Sequence, residues 1–299
     1  MELYKYTTTG NGKNILNNLE IRFTQPNALN DVFEMFPNIM GEIPEIMLKK
    51  IYKELEKSGY VDSLWKIAED NLYKTVKDKF PFLTKRISDF LLNVVFKNHF
   101  SKGRTIEELL IDKIKSEPNE FKEKLIREFL NVLNSYVGVL SLSKGNNINL
   151  MWSNYADSHR GLILCFDENH QYFKDCNEIR YVKNRSTLNF NDLIPTGKNQ
   201  DIKEIFMQKG LEWQYEKEVR KFQFLSNNKR ILEDTDSYGY PICLFDIPKD
   251  TIKGVIFGCK ISEKEKEEVK SIIYSKKYDI KFMQAKLSQE EFKLIIEIE

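Results

Sequence analysis

Cysteine, histidine and glycine are scarce in this chain, and each scarcity argues against a class of protein. The 299 residues include four cysteines and three histidines. Because no two cysteines stand in a Cys-x-x-Cys pair, a zinc cluster is disfavoured. The 13 glycines do not form a glycine-rich phosphate-binding loop. The chain also shows no internal repeat. We expect the cysteines to be free thiols in a reducing compartment.

Long apolar runs and an excess of one charge sign are also missing. No run approaches the roughly 18 residues of a membrane-spanning helix, and the first ten residues lack a signal-peptide pattern. Lys plus Arg, 46 residues, nearly balance Asp plus Glu, 45 residues. This balance argues against a broad electrostatic surface for nucleic acid. The sequence therefore predicts a cytoplasmic protein that does not engage a membrane.

What the chain does contain is an apolar fraction of 41%, which is sufficient for a real hydrophobic core. Strand patterns occur at 3–8, 19–23 and 136–143, and the unbroken apolar run at 162–166 predicts a central strand covered on both faces. The pattern changes at 43–135, where apolar residues recur three and four positions apart. That spacing predicts four or five amphipathic helices.

These patterns predict an α+β fold with a mixed sheet. We expect a core domain formed by residues 1–42 and 136–299, with residues 43–135 as a helical insertion. The remaining local predictions are a loop at 10–12, a surface turn at 26–34, helices at 149–159 and 201–209, a polar loop at 226–236, and a helix whose capping box is Ser262 with Glu265.

The stretch 213–224, WQYEKEVRKFQF, is the strongest candidate for a functional site. On a strand, Glu216 and Glu218 would point to the same face, with Arg220 next in line. The alternative is a solvated edge strand rich in charge. Aromatic residues, Trp213 among them, are denser here than an exposed edge usually carries, so we expect the two carboxylates to face a cleft.

Several motifs together resemble the bacterial family known as domain of unknown function 2971. They are Leu3-Tyr-Lys-Tyr6, Pro26-x-x-x-Asn30-Asp31-x-Phe33-Glu34, Ser141-Leu-Ser143, Leu150-Met-Trp-Ser-Asn-Tyr-Ala-Asp157 with His159-Arg-Gly161, and Trp213-x-Tyr-Glu216-x-Glu218-x-Arg220. The motifs lie in both terminal portions of the chain, whereas the helical middle matches no family that we recognise. The family name implies no activity.

A second resemblance suggests chemistry. Lys5 on an early strand, Ser141 and Ser143 at a strand end, and the late pair Glu216 and Glu218 follow the order of the Arg-Ser-Glu motif of ADP-ribosyltransferases. This similarity implies a split sheet of the ADP-ribosyltransferase-like type. It also implies that NAD is the substrate and that a protein or nucleic acid accepts the ADP-ribose.

The same resemblance implies roles for individual residues. Glu218 would hold the nicotinamide ribose and stabilise an oxocarbenium-like transition state, and Glu216 would orient the acceptor. The residues implied to bind the dinucleotide are Tyr4, Lys5, Tyr6, Ser141, Ser143, Trp152, Tyr155 and Trp213. Since uncontrolled NAD cleavage harms a host, the resemblance further implies a toxin or antiviral-defence effector, with an antitoxin or regulatory protein as its partner.

Other interpretations remain open at this point. Trp152 and Tyr155 have the spacing of helix core residues, and the serines suit a turn at a strand end. The cleft would then belong to a regulatory module that binds a nucleotide or protein without chemistry. A third interpretation is a nuclease in which Asp31, Glu34, Glu216 and Glu218 hold Mg²⁺.

Overall fold

The computed structural model describes residues 2–34, 38–40, 134–189 and 206–299, together with residues 123, 127 and 131. The chain divides into two units. One comprises Met1–Glu34, Tyr136–Arg185 and Met207–Glu299, and the other comprises Met35–Ser135 and Ser186–Phe206. The helical insertion predicted at 43–135 lies almost entirely outside the described residues, so the predicted domain boundaries stay predictions.

Bounds are given by the described residues for fifteen strands and three α-helices, and residues 134–136 also lie in a helix. The strands are β1 (Glu2–Thr7), β2 (Glu20–Phe23), β3 (Asn38–Met40), β4 (Val137–Ser143), β5 (Leu162–Asp167), β6 (Asn177–Glu178), β7 (Arg180–Val182), β8 (Thr187–Asn189), β9 (Gln208–Gly210), β10 (Glu218–Phe224), β11 (Arg230–Thr235), β12 (Pro241–Asp246), β13 (Ile252–Phe257), β14 (Lys281–Leu287) and β15 (Leu294–Ile298). The helices are α1 (Thr9–Asn18), α2 (Asn149–Tyr155) and α3 (Glu263–Ser275).

An eight-stranded sheet, in the order β15-β14-β13-β5-β1-β4-β10-β6, is the framework of the first unit. Only β13 and β14 run parallel within it, and the other neighbours are antiparallel. Smaller sheets follow the orders β11-β12-β2 and β7-β9, and β3 pairs with β8 in the second unit. The predicted α+β fold with a mixed sheet is therefore confirmed, and the sheet is open and mostly antiparallel.

The pairing of β1 with its two neighbours is unequal. β1 pairs with β5 over all six residues from Glu2 to Thr7, but with β4 only at Tyr4 and Ser143. Beyond that pair, β4 instead forms an isolated bridge from Val139 to Thr24, which follows β2. The sheet therefore opens between β1 and β4.

Apolar packing covers both faces of the sheet near β5, as the unbroken apolar run predicts. Leu164 packs on one face with residues of α1 and α3, such as Leu16 and Val269. Ile163 packs on the other face with Trp152 of α2. All of these side chains are buried, so this part of the sheet is held by the hydrophobic effect.

The predicted loop at 10–12 is wrong, because these residues form the first turn of α1. The Thr8 hydroxyl caps the helix by accepting a hydrogen bond from the Asn11 amide at 3.3 Å. At Gly12 a Cβ atom would lie 2.8 Å from Leu162 Cδ1. The glycine thus serves close packing of the helix on β5.

Three other local predictions need correction. The helix predicted at 149–159 ends at Tyr155, and residues 157–159 all have positive φ. The polar loop at 226–236 contains β11, and the last residues of the helix predicted at 201–209 belong to β9. The capping box of α3 is confirmed, since the Ser262 hydroxyl accepts from the Glu265 amide and donates to its carboxylate.

The four cysteines are free. Among the described residues, no helix combines the length and the apolar character needed to cross a membrane.

Candidate functional site

A cavity of about 230 Å³ lies where the sheet opens between β1 and β4. β1 lines it with Tyr4, Lys5 and Tyr6, and β4 lines it with Ser141 among others. Side chains of neighbouring strands usually alternate between the two faces of a sheet. Because β1 and β4 separate here, residues from both faces of β1 reach the same space.

The stretch 213–224 enters this cavity through a turn that the sequence pattern did not predict. Leu211–Glu216 is a 3₁₀ helix, Lys217 adopts a left-handed conformation with φ 47°, and β10 begins only at Glu218. Glu216 and Glu218 therefore do not alternate along one strand, as expected from the sequence. The turn at Lys217 nonetheless directs both carboxylates into the cavity wall.

Lys209 on β9 joins the two carboxylates. Its ammonium group lies 2.6 Å from Glu216 Oε2 and 3.2 Å from Glu218 Oε2, and 4.8 Å from the centre of the Trp213 ring. Burial alone would lower the pKa of Lys209, but Glu218 and Glu216 outweigh burial and hold the pKa above its ordinary value. The lysine is therefore a permanent cation between two glutamates.

Arg220 supplies a second buried cation. Its Nε and a terminal nitrogen bind the two oxygens of Glu218 at 2.7 and 3.0 Å, and it also forms an ion pair with Glu34. The Arg220 side chain is 0% exposed. The pKa of the Glu218 carboxyl group is raised above its ordinary value, because burial, the largest effect, outweighs the opposing charge of Lys209. Two cations in contact favour the ionised form of Glu218.

Lys5 is a third basic group in the cavity wall. Its Nζ donates to the backbone oxygen of Ser141 at 3.0 Å. Burial lowers the pKa of Lys5 to about 8, although Glu218 and Glu216 partly oppose the effect. This amine consequently changes its charge closer to neutral pH than an ordinary lysine does.

A chain of hydrogen bonds connects the glutamates to the cavity rim. The Asn30 amide donates to the Tyr155 hydroxyl at 2.6 Å, and that hydroxyl donates to Glu216 Oε1 at 2.6 Å. On the far side of the network, the Glu218 amide donates to the Tyr181 hydroxyl at 2.7 Å. Neutral groups thus hold the carboxylate of Glu216 and the backbone of Glu218.

Three residues expected to contact a ligand lie elsewhere. Ser143 is fully buried, and its hydroxyl donates to the Glu216 backbone oxygen at 2.6 Å and accepts from the Gly145 amide at 3.0 Å. Trp152 is 0% exposed, with its indole N–H bonded to Asn146. Trp213 does not line the cavity and packs near Tyr215. Ser143 and Trp152 are buried and form hydrogen bonds with the backbone, so neither is positioned to stack on or bind a ligand.

The site also includes two residues that the sequence patterns did not single out and two that they placed on a surface turn. Lys209 sits in the short stretch MQKG and carries no motif signal, and Tyr181 likewise follows no pattern. Asn30 and Glu34 belong to the predicted surface turn at 26–34. That turn forms a 3₁₀ helix at Pro26–Ala28, but the Glu34 side chain is only 1% exposed, so a purely surface role is wrong for it.

The carboxylates face cations of the protein itself. Within the described part of the chain, no group of three or more His, Cys, Asp or Glu side chains is arranged to hold a metal ion. Glu34, Glu216 and Glu218 instead each lie beside Lys209 or Arg220. This pairing gives the magnesium-nuclease interpretation no support.

Comparisons of the chain with protein-family models, with curated proteins and with solved structures gave no match. The geometry of the cavity is therefore the basis on which a function can be argued.

Proposed function

We propose that the protein cleaves NAD at this cavity and transfers ADP-ribose to a protein or nucleic acid. One observation carries the proposal: β1, β4 and β10 are neighbours in the sheet, and Lys5, Ser141, Glu216 and Glu218 line a single cavity. The residues that resemble the Arg-Ser-Glu motif are distant in sequence, so their convergence supports the likeness to ADP-ribosyltransferases. The opening of the sheet between β1 and β4 supports a split sheet of that type.

Glu218 is the carboxylate suited to the chemical step. When the bond between the ribose C1′ and the nicotinamide nitrogen breaks, nicotinamide takes the bonding electrons and positive charge develops on the ribose. A fixed anion stabilises that charge more in the transition state than in the ground state. Arg220 and Lys209 hold Glu218 in place, so little reorganisation is needed.

Glu216 is suited to the acceptor. Its Oε1 accepts from Tyr155, and Tyr155 contacts Asn30 at the cavity rim. A hydroxyl of the acceptor, or water, would form the new bond to C1′ and release its proton. In this scheme Glu216 orients that nucleophile, and Lys5 contacts the pyrophosphate.

The size of the cavity limits how NAD can bind. At about 230 Å³ it is smaller than the roughly 300–1,000 Å³ of pockets for drug-sized ligands. It therefore suits the nicotinamide riboside half of the dinucleotide, with the adenosine half outside it.

A second candidate is a regulatory module that binds a nucleotide without cleaving it. The neutralised state of the carboxylates favours it, because Lys209 and Arg220 reduce the negative field that Glu218 offers to a developing cation. This candidate predicts NAD binding without nicotinamide release, so one assay separates the two.

The test is nicotinamide release from NAD by the full chain, measured by chromatography and mass spectrometry, with Glu218→Gln as the variant. We expect the rate to fall roughly 10²–10³-fold, as when one group that stabilises transition-state charge is lost. Binding of NAD should change less than the rate does, because the carboxylate matters most in the transition state.

The matched control is Glu212→Gln. Glu212 is exposed on the 3₁₀ helix that ends at Glu216, and it does not line the cavity. Its removal changes the net charge equally and should leave the rate unchanged. Circular dichroism establishes that each variant is folded. Wild-type protein that binds no NAD and releases no nicotinamide contradicts the proposal, while binding without release favours the second candidate.

A further inference from the structure

Residues 26–34, here called the cover segment, are a motif that the proposed chemistry does not use. Ala28, Leu29, Asn30 and Glu34 contribute to the cavity wall. The segment is attached to the charged network at two points. Asn30 donates to Tyr155, and Glu34 pairs with the cations Arg220 and Lys209.

Glu34 is bound differently from the other two carboxylates. Glu216 and Glu218 accept hydrogen bonds at 2.6 and 2.7 Å. Neither oxygen of Glu34 receives a hydrogen bond of acceptable geometry, although both are buried. Its carboxylate lies 3.8 Å from the Lys209 nitrogen. Glu34 is thus held by its ion pairs with Arg220 and Lys209 and not by a hydrogen bond.

The network requires an anion where Glu34 lies. Arg220 has a fully buried side chain and faces Glu34 in addition to Glu218. Without Glu34, Arg220 would lose one of its anionic partners, and reduced compensation of a buried charge is costly. If the cover segment moved away, another anion in the place of its carboxylate would restore that compensation.

A phosphate group fits this place better than a second carboxylate. A guanidinium group carries five N–H donors, so Arg220 can bind a phosphate oxygen on the side that faces Glu34 while it also holds Glu218. An ammonium group binds phosphate as a point charge. Arg220 and Lys209 provide one of each. Lys5 lies in the wall of the same cavity and could face a second phosphate charge.

We propose that Arg220 and Lys209 form a phosphate-binding position that Glu34 fills in the free protein, and that a ligand phosphate displaces Glu34 together with the cover segment. The identity of that phosphate as the pyrophosphate of NAD rests on the proposed function. The competition between phosphate and Glu34 does not, since it follows from the two cations and from a carboxylate that they hold by ion pairing alone.

The test is calorimetric titration of the full chain with inorganic pyrophosphate, comparing wild type with Glu34→Gln at constant ionic strength. We expect the variant to bind pyrophosphate at least about tenfold more tightly, because the competing charge is gone. Glu212→Gln removes a charge from outside the cavity and should bind like wild type. Equal or weaker binding by Glu34→Gln overturns the proposal, as does an equal gain in Glu212→Gln.

A measurement on the wild-type chain avoids dependence on the folding of the variant. The Leu29 amide bonds to Pro26 and the Glu34 amide to Asp31, so hydrogen exchange in peptides covering 26–34 reports on the cover segment. We expect exchange there to become faster when saturating pyrophosphate is added. Unchanged or slower exchange contradicts displacement.

The two proposals can fail separately. If Glu34→Gln binds pyrophosphate more tightly but NAD is not cleaved, the proposed transferase activity is contradicted. The proposed phosphate-binding position is then still supported. Cleavage of NAD by wild type, with no effect of Glu34→Gln on pyrophosphate binding or on the KM for NAD, removes the phosphate position alone.

Discussion

Strands β5 and β10 belong to the same sheet and are both largely buried, yet their interiors are filled in opposite ways. β5 reads LILCFD, and its first five residues are buried apolar side chains. β10 reads EVRKFQF, and three of its four buried residues are Glu218, Arg220 and Lys221. Two strands, β1 and β4, lie between β5 and β10 in the sheet, and they pair with each other at a single position.

The difference indicates that the β10 end of the sheet is not optimised for stability alone. Apolar burial contributes roughly 25 cal/mol per Å², whereas a buried ion pair often does no better than apolar residues of similar size. A strand with three buried charges is therefore a poor choice for stability alone. Such departures concentrate at functional sites, which is consistent with the cavity lying at the β10 end.

The largest effect should come from breaking the charged end of the sheet. Arg220→Met leaves Glu218 and Glu34 without their guanidinium partner, and we expect a loss of about 3–5 kcal/mol in the free energy of unfolding. Adding Glu34→Gln should recover about 0.5–3 kcal/mol, because the two groups interact. Urea denaturation of the single and double variants measures both values. Strict additivity would show that the network is not coupled.

The apolar end should respond differently to a change of similar size. Leu164→Ala on β5 removes a fully buried side chain, and we expect a loss of about 2–5 kcal/mol from lost transfer energy and the cavity left behind. Ligand binding by the folded variant should be unchanged. Calorimetry measures the affinity for NAD and pyrophosphate. A change of more than about threefold would contradict the separation between packing at the β5 end and ligand binding at the β10 end.

The charge state of Lys5 gives a prediction that depends on pH. Burial lowers the pKa of Lys5 to about 8, from 10.5 in the unfolded chain. Its ammonium form therefore costs stability in full below pH 8, and the cost disappears as the pH rises to about 10.5. We expect the advantage of Lys5→Met over wild type to shrink by up to about 3 kcal/mol across this range.

Denaturation of both proteins at a series of pH values tests that prediction. Comparing the variant with wild type cancels the titration of tyrosines and cysteines that both proteins share. A difference that does not vary between pH 8 and pH 10.5 would mean that Lys5 keeps its ordinary pKa in the folded protein.

The smallest effects should come from two glycines of α1, the helix that packs on the apolar end. Gly10→Ala places a methyl group where nothing lies within 4 Å, and we expect a gain of about 0.5–1 kcal/mol from helix propensity. Gly12→Ala brings a methyl group against Leu162, and we expect a loss of about 1–3 kcal/mol from overpacking. Equal effects in denaturation would mean that α1 does not pack closely on β5.

The sequence alone determined the elements whose signals are local. The apolar run at 162–166 predicted β5, and Ser262 with Glu265 predicted the start of α3, because burial on both faces and helix capping depend on adjacent residues. The α+β class and the placement of Glu218 and Arg220 on one face of a strand followed in the same way. The glycines at positions 10 and 12 led to the wrong prediction of a loop. Gly12 instead allows α1 to pack closely on Leu162.

Only the tertiary structure decided the composition of the cavity. The left-handed turn at Lys217 set the direction of Glu216, and pairing of β1 with β4 at a single position opened the space beside Lys5. Lys209 entered the network although no local pattern distinguishes it from a surface charge, and Glu34 entered it from a predicted surface turn. Periodicity reports which face of an element is apolar, whereas electrostatic pairing depends on the distance between residues far apart in the chain.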